Sequence, residues 1–271
     1  MNIQNNRIKE ILEGFSEKNI LVIGDLMLDA YFWGKTERIS PEAPVPIVEV
    51  HRTNFNPGGA GNVALNLVKL GSKVSILGAI GNDVNGDTLL SQLREVKINI
   101  SPIIVLDNYQ TPIKTRVIAQ DQQVIRIDQE NNSINSKSLL LSIDKSLENN
   151  IEKFDGVILA DYNKGLFSIE IINLVIKKVK EFSIPIYVDP KWENFFEYKN
   201  IHFFKPNFME FQKALGNNYH KDDFLKHGTE MMEKLNTDIL LVTKGSEAAV
   251  LFTEEGNNSI PIEEQVVHDV S

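Results

Sequence analysis

Asn56-Pro57-Gly58-Gly59-Ala60-Gly61-Asn62 runs directly into a helical pattern. Two adjacent glycines let a backbone approach a ligand with no Cβ in the way. The N–H groups of the helix's first turn are unpaired, so they suit a polyol or an anion. Asn62 adds an amide that both donates and accepts. A Gly-Gly pair also makes ordinary turns. What favours a binding loop is its place in the chain. It follows a strand, the proline-studded excursion Arg38-Ile39-Ser40-Pro41-Glu42-Ala43-Pro44-Val45-Pro46, and a second extended segment.

On the N-terminal side, Ile20 to Gly24 is a short apolar run of the kind found in a buried parallel strand. On the C-terminal side, Ala60 to Leu70 has helical spacing and stops at Gly71. Val74 to Ile80 reads as a strand and Val84 to Leu93 as a helix. The alternation resumes with strand Val157 to Ala160, helix Ser168 to Phe182, and strands Pro185 to Val188 and Ile201 to Phe204. Helices Asn207 to Leu215 and Asp222 to Leu235 and strand Ile239 to Thr243 complete it. This pattern predicts an α/β fold with a doubly wound, mostly parallel sheet. Ala248 to Phe252 and Ser259 to Ile262 read as antiparallel edge strands. Met1 to Glu17, with Ile8, Ile11, Leu12 and Phe15 at helical spacing, predicts an amphipathic helix packed on the domain rather than a targeting segment.

Two stretches break the rhythm. Val45 to Val50 and Pro112 to Ile127 are extended and have no crossover helix of their own. They predict a small inserted β-sheet lid, with a pair of edge hairpins as the alternative. An Asn-rich linker lies around Asn131 to Asn135.

Composition limits the function. The 271 residues carry a formal net charge of -9. That argues against a nucleic-acid or anionic-membrane footprint. No apolar run approaches membrane-spanning length. The absence of cysteine excludes disulfides and thiolate-bound metal and agrees with a cytoplasmic location.

Polar residues gather at the predicted strand ends, where open α/β sheets bind ligands. Asp25 and Asp29 follow the first strand, and Asp161-Tyr162-Asn163-Lys164-Gly165 a later one. Asp189-Pro190-Lys191, Pro206-Asn207 with Glu210, and Thr243-Lys244-Gly245 follow the next three. Any one carboxylate there could be only a helix cap. Five clusters at successive strand ends ask for more than capping.

With these residues the chain resembles the ribokinase-like (PfkB-type) sugar kinases. The superfamily likeness rests on Gly24 to Asp29, Gly58-Gly59 with Asn62, Asp189-Pro190, Pro206-Asn207 with Glu210, and Thr243 with Gly245. Arg38 to Pro46, Lys114-Thr115-Arg116, Gln122-Gln123 with Arg126 and Asp128, Asp161-Tyr162 with Lys164-Gly165, and Lys191 are similar to the D-glycero-β-D-manno-heptose 7-phosphate kinases. The resemblance implies one ribokinase-like domain over 1–271, C-terminally incomplete, with a lid from about 31–54 and 108–128. It implies ATP-dependent phosphorylation of the anomeric hydroxyl of the heptose phosphate, in the ADP-heptose route to lipopolysaccharide core. On that likeness Asp29, Gly58, Gly59 and Asn62 meet the sugar, with Lys114, Arg116, Asp161 and Lys164 beside them on the substrate side. Lys191, Asn207, Glu210, Thr243 and Gly245 meet the nucleotide. Glu210 organises Mg²⁺ through water, and Asp269 is assigned to a monovalent cation, K⁺. Similar kinases dimerise through the lid, so a homodimer is expected.

The family's general base lies in a Gly-Ala-Gly-Asp loop, and that tetrapeptide does not occur here. The base would fall just beyond Ser271, so the expectation is a chain nearly inactive by itself. The competing readings are a non-catalytic sugar-phosphate-binding or dimerising remnant, and a ribokinase-like kinase for another sugar or a nucleoside. An adenylyltransferase activity is unsupported, because no His-x-Gly-His motif is present.

Overall fold

The computed structural model describes residues 5–130, 136–148 and 151–261. Asp269, Ile262 and the linker Asn131 to Asn135 lie outside the described residues.

The chain opens with α1 (Asn5–Gly14), β1 (Asn19–Gly24), β2 (Leu26–Ile39), β3 (Pro46–Gly59) and α2 (Ala60–Lys69). β4 (Lys73–Leu77), β5 (Ala79–Gly81), α3 (Val84–Glu95) and β6 (Ile104–Leu106) follow. Next come β7 (Ile113–Ala119), β8 (Gln122–Gln129), α4 (Ser136–Glu148), β9 (Gly156–Ala160), α5 (Ile169–Lys180), β10 (Ile186–Asp189) and β11 (Phe203–Phe204). The last are α6 (Phe208–Leu215), α7 (Phe224–Leu235), β12 (Ile239–Thr243), β13 (Ala248–Thr253) and β14 (Gly256–Pro261).

The main sheet has eight strands in the order β14-β13-β12-β11-β10-β9-β1-β4. β12 to β4 run parallel and β13 and β14 antiparallel, as the sequence predicts. One face is buried along its length. There Val188, Phe204, Leu240, Val242 and Phe252 pack with Ile172 and Val175 of α5 and Met231 and Leu235 of α7. The other face is buried at β1 and β4, under Ala64 of α2 and Leu89 and Leu93 of α3. Successive strand residues point to opposite faces. Ile158, Tyr187, Phe203, Ile239, Leu241 and Leu251 therefore line that second face, each only half-buried.

A separate four-stranded sheet, β3-β2-β7-β8, occupies the stretches expected as a lid. One of its two longest strands, β2, continues almost directly from β1 and is not among the strands expected from the sequence. Register places Asp29 opposite both Asn56 and Lys114, and Tyr31 opposite Arg116. Lys114 in turn pairs with Asp128, and Arg116 with Arg126. Polar and charged residues thus share one face. Thr115, Val117, Ile125 and Ile127 share the other, with Ile125 51% and Ile127 47% exposed.

Three expectations change. The strand expected from Val74 to Ile80 is interrupted at Gly78, where a Cβ would lie 2.6 Å from the Gly24 carbonyl oxygen. α4 was not anticipated, although Leu139, Ile143 and Leu147 recur every fourth residue and are buried. α1 forms, but Ile8, Ile11 and Leu12 stay exposed instead of packing on the domain.

Candidate active site

The site is built at the C-terminal ends of β1, β9, β10 and β12, with the second sheet beside it. Asp25, in the one-residue step between β1 and β2, is 3% exposed. Its Oδ2 accepts the N–H groups of Tyr162 (2.8 Å) and Lys164 (3.2 Å), and its Oδ1 accepts that of Leu166 (3.1 Å). One carboxylate thereby fixes the loop that follows β9. Burial, and then the neighbouring Asp161 carboxylate, push the Asp25 carboxyl up to about 6 against the effect of those donors.

Asp161 was expected to meet the substrate. It is buried at 2%, taking the Tyr198 hydroxyl (2.7 Å) and the Asn163 N–H (2.8 Å). Its carboxyl is shifted upward by burial. These bonds tie the loop after β9 to Tyr198. Lys164, in the same loop, extends to Glu130 of the second sheet, with 2.6 Å between Nζ and Oε2.

Asp29 lies where the glycine loop meets the second sheet. A Cβ on Gly58 would sit 2.4 Å from Asp29 Oδ2, so a side chain there would force that carboxylate to shift. Gly59 takes φ +56° to start α2, and a Cβ there would meet the Asp25 carbonyl oxygen at 2.5 Å. Asn62 stands half-buried in the first turn of α2. Asp29 Oδ1 accepts from Arg116 Nη1 at 2.6 Å, with both side chains 14% exposed. The Arg116 guanidinium also lies 5.1 Å from the centre of the Tyr31 ring.

Lys114 differs from its neighbours. It is half-buried and has no hydrogen bond or ion pair to any other described residue. Burial, then the charges of Lys164 and Arg126, lower its pKa. Arg126 itself is held by Asp128 through two hydrogen bonds of 2.8 and 2.7 Å.

On the other side of the site, Asn207 and Glu210 form a reciprocal capping box at the start of α6. Each bond of the box is 2.9 Å, and Glu210 Oε1 also receives Lys191 Nζ at 2.5 Å. Asn207 bridges to Thr243, and Gly245 follows at φ +61°. Five expected nucleotide-side residues thus belong to adjoining strand ends. Tyr162, missing from the expected site, lies between the two sides. Its ring faces Lys191 Nζ at 5.8 Å. Burial and then the carboxylates of Asp189, Asp29 and Glu210 push its phenol up to about 12.

Among the described residues no group of three or more His, Asp or Glu is arranged to hold a metal. Glu210 alone, with both oxygens engaged, suits a contact to Mg²⁺ through water rather than direct ligation. No helix among the described residues is long and apolar enough to cross a membrane.

The fold and the paired clusters along the strand ends define a ribokinase-like α/β protein. Superposition agrees. Escherichia coli phosphofructokinase-2 in complex with fructose-6-phosphate matches with a TM-score of 0.73 over 92% of this chain and 82% of that one, at 18% identity. Arabidopsis thaliana ribokinase complexed with ribose and ATP matches with a TM-score of 0.66 over 90% of this chain and 78% of that one, also at 18% identity. The model of the pfkB family of carbohydrate kinases matches residues 17–270, and the chain belongs to that family. Its enzyme class is therefore that of a kinase acting on a carbohydrate. Among its relatives is the bifunctional protein HldE of Sulfurimonas denitrificans, 40% identical over 247 residues, 91% of this chain and 52% of that protein. The HldE of Vibrio cholerae is 35% identical over 97% of this chain and 55% of its own length. The chain thus spans about half the length of these relatives.

Proposed function

We propose that the chain binds a heptose 7-phosphate between the glycine loop and the second sheet, as the kinase part of a heptose 7-phosphate kinase. The observation that carries this reading is Lys114. It is a half-buried cation with no hydrogen bond or ion pair among the described residues, adjacent in register to Asp29 and flanked by Lys164 and Arg126, with the Glu130 and Asp128 carboxylates acting on it without direct contact. A sugar needs the acceptor, and its phosphate needs the unmatched cation. The likeness of Arg38 to Pro46 to heptose kinases, together with the HldE relatives, supports a heptose over a smaller sugar.

The chain's residues divide the work. Asp29 orients sugar hydroxyls, with Gly58, Gly59 and Asn62 around them. Lys114 neutralises the substrate phosphate, and Arg116, once released from Asp29, adds a bidentate donor. Lys191, Thr243 and Gly245 hold ATP, and Asn207 with Glu210 orders water around Mg²⁺, which supplies charge neutralisation of the nucleotide phosphates. The second sheet acts as the lid.

The test compares D-glycero-D-manno-heptose 7-phosphate with unphosphorylated heptose by calorimetry. Binding should require the phosphate, and Lys114→Met should remove that preference. Asp29→Ala should abolish binding of the phosphate ester in a chain that remains folded. Equal affinity for both ligands overturns the reading.

A second copy of the chain is the proposed cover for the apolar lid face. Ile125 and Ile127 are exposed on β8, an edge strand open to pairing. Light scattering across a dilution series should give a dimer for wild type and a monomer for Ile125→Asp. A monomeric wild type removes this part.

A further inference from the structure

We infer that Glu130 is a sugar-binding residue, in which one carboxylate oxygen accepts a substrate hydroxyl while the other holds Lys164. The inference rests on the sugar-phosphate reading above and adds a recognition element to it.

Glu130 follows the last residue of β8, and Gln129 pairs with Ile113, the neighbour of Lys114. Its side chain is 20% exposed, and its Oε2 takes Lys164 Nζ at 2.6 Å. The other oxygen, Oε1, is buried and has no hydrogen-bond partner among the described residues. A buried acceptor without a donor is costly, and folded proteins rarely keep one unless something supplies the donor. Its charge acts on Lys114 and Arg126, so it belongs to the cluster beside Asp29.

The chemistry of the missing donor follows from these neighbours. A phosphate would be repelled by this oxygen. A sugar hydroxyl both fits beside the cations and donates. Lys164 is already matched by Glu130, which leaves the excess positive charge at Lys114 for the phosphate. The anchor is also firm. Asp25 holds the backbone of Lys164 and Lys164 holds Oε2, so the carboxylate that carries Oε1 is tethered rather than free to swing.

This division predicts effects of opposite sign. Calorimetric titrations would use heptose 7-phosphate and inorganic phosphate on wild type, Glu130→Gln and Glu130→Asp. Glu130→Gln should weaken the sugar phosphate about five- to tenfold, the effect of losing a charge-assisted hydrogen bond. Inorganic phosphate should bind Glu130→Gln as well as wild type or more tightly, because a negative charge has gone. Glu130→Asp keeps the charge but withdraws the oxygen, so it should weaken the sugar phosphate and leave inorganic phosphate unchanged. If both ligands tighten with Glu130→Gln, the residue only balances Lys164 and the inference fails. If both weaken together, or neither changes, it fails as well. A wild-type chain that ignores the sugar phosphate overturns the functional reading itself, and this inference with it.

Discussion

Glu210 and Glu130 each hold a lysine on opposite sides of one site, at 2.5 Å to Lys191 and 2.6 Å to Lys164. The pairs look alike, yet the carboxylates are used differently. Glu210 spends its second oxygen on the backbone of Asn207 and closes a capping box. Glu130 leaves its second oxygen buried and without a hydrogen-bond donor among the described residues. Asp25, behind them, extends the comparison, because it receives three backbone N–H groups and leaves nothing over. The number of internal donors separates carboxylates that build the site from one able to meet a ligand.

The comparison breaks if stability does not follow that order. Asp25→Ala should cost the most, about 3 kcal/mol or more, since it strands buried N–H groups. Chemical denaturation at about pH 4, where the Asp25 contribution is still present, measures this, and a loss below about 1 kcal/mol would contradict the anchoring role. Asp25 also sets a pH dependence. Its folded value, about 6, lies above the ordinary 3.8 of the unfolded chain. Its contribution is therefore complete below the lower value and lost as pH rises through the higher one, by up to roughly 3 kcal/mol. Asp25→Asn should flatten the stability profile between these limits, and identical profiles for mutant and wild type would remove the assignment.

Glu210→Gln should cost about 1–2 kcal/mol, because the amide has one acceptor where the box and Lys191 need two. The smallest change sharpens the contrast. Glu130→Gln should move stability by about 0.5 kcal/mol or less, since the amide oxygen can still receive Lys164. Melting curves of the two variants side by side decide it, and equal losses would erase the distinction.

Much of this arrangement was readable in the chain. Apolar runs such as Ile20 to Ile23 and spaced apolar residues such as those of α5 are local signals, and they placed the strands of the main sheet and helices α2, α3, α5, α6 and α7. β2 escaped because only Asp25 separates it from β1, Asp29 interrupts its apolar start and its far end turns polar. α4 carried a fourfold spacing of large apolar residues next to an Asn-rich run that drew attention away from it. The site was readable where one residue type has one use, as with Gly58 against Asp29. It was not where neighbours share a chemistry. Nothing local tells Asp161 from Asp29, and only the fold shows Tyr198 closing over the first. Glu130 has no motif at all, because its meaning comes from Lys164, 34 residues away.

The fit of Gly58 against Asp29 has a consequence for anyone reshaping the specificity of this pocket. With a Cβ at 58 landing 2.4 Å from the carboxylate oxygen, the two positions behave as a single locus. A library that varies residue 58 alone displaces the Asp29 carboxylate in nearly every member, and one that varies residue 29 alone keeps a glycine whose reason has gone. Paired libraries, in which a side chain appears at 58 only as the one at 29 shortens, are the route by which this scaffold can change its sugar.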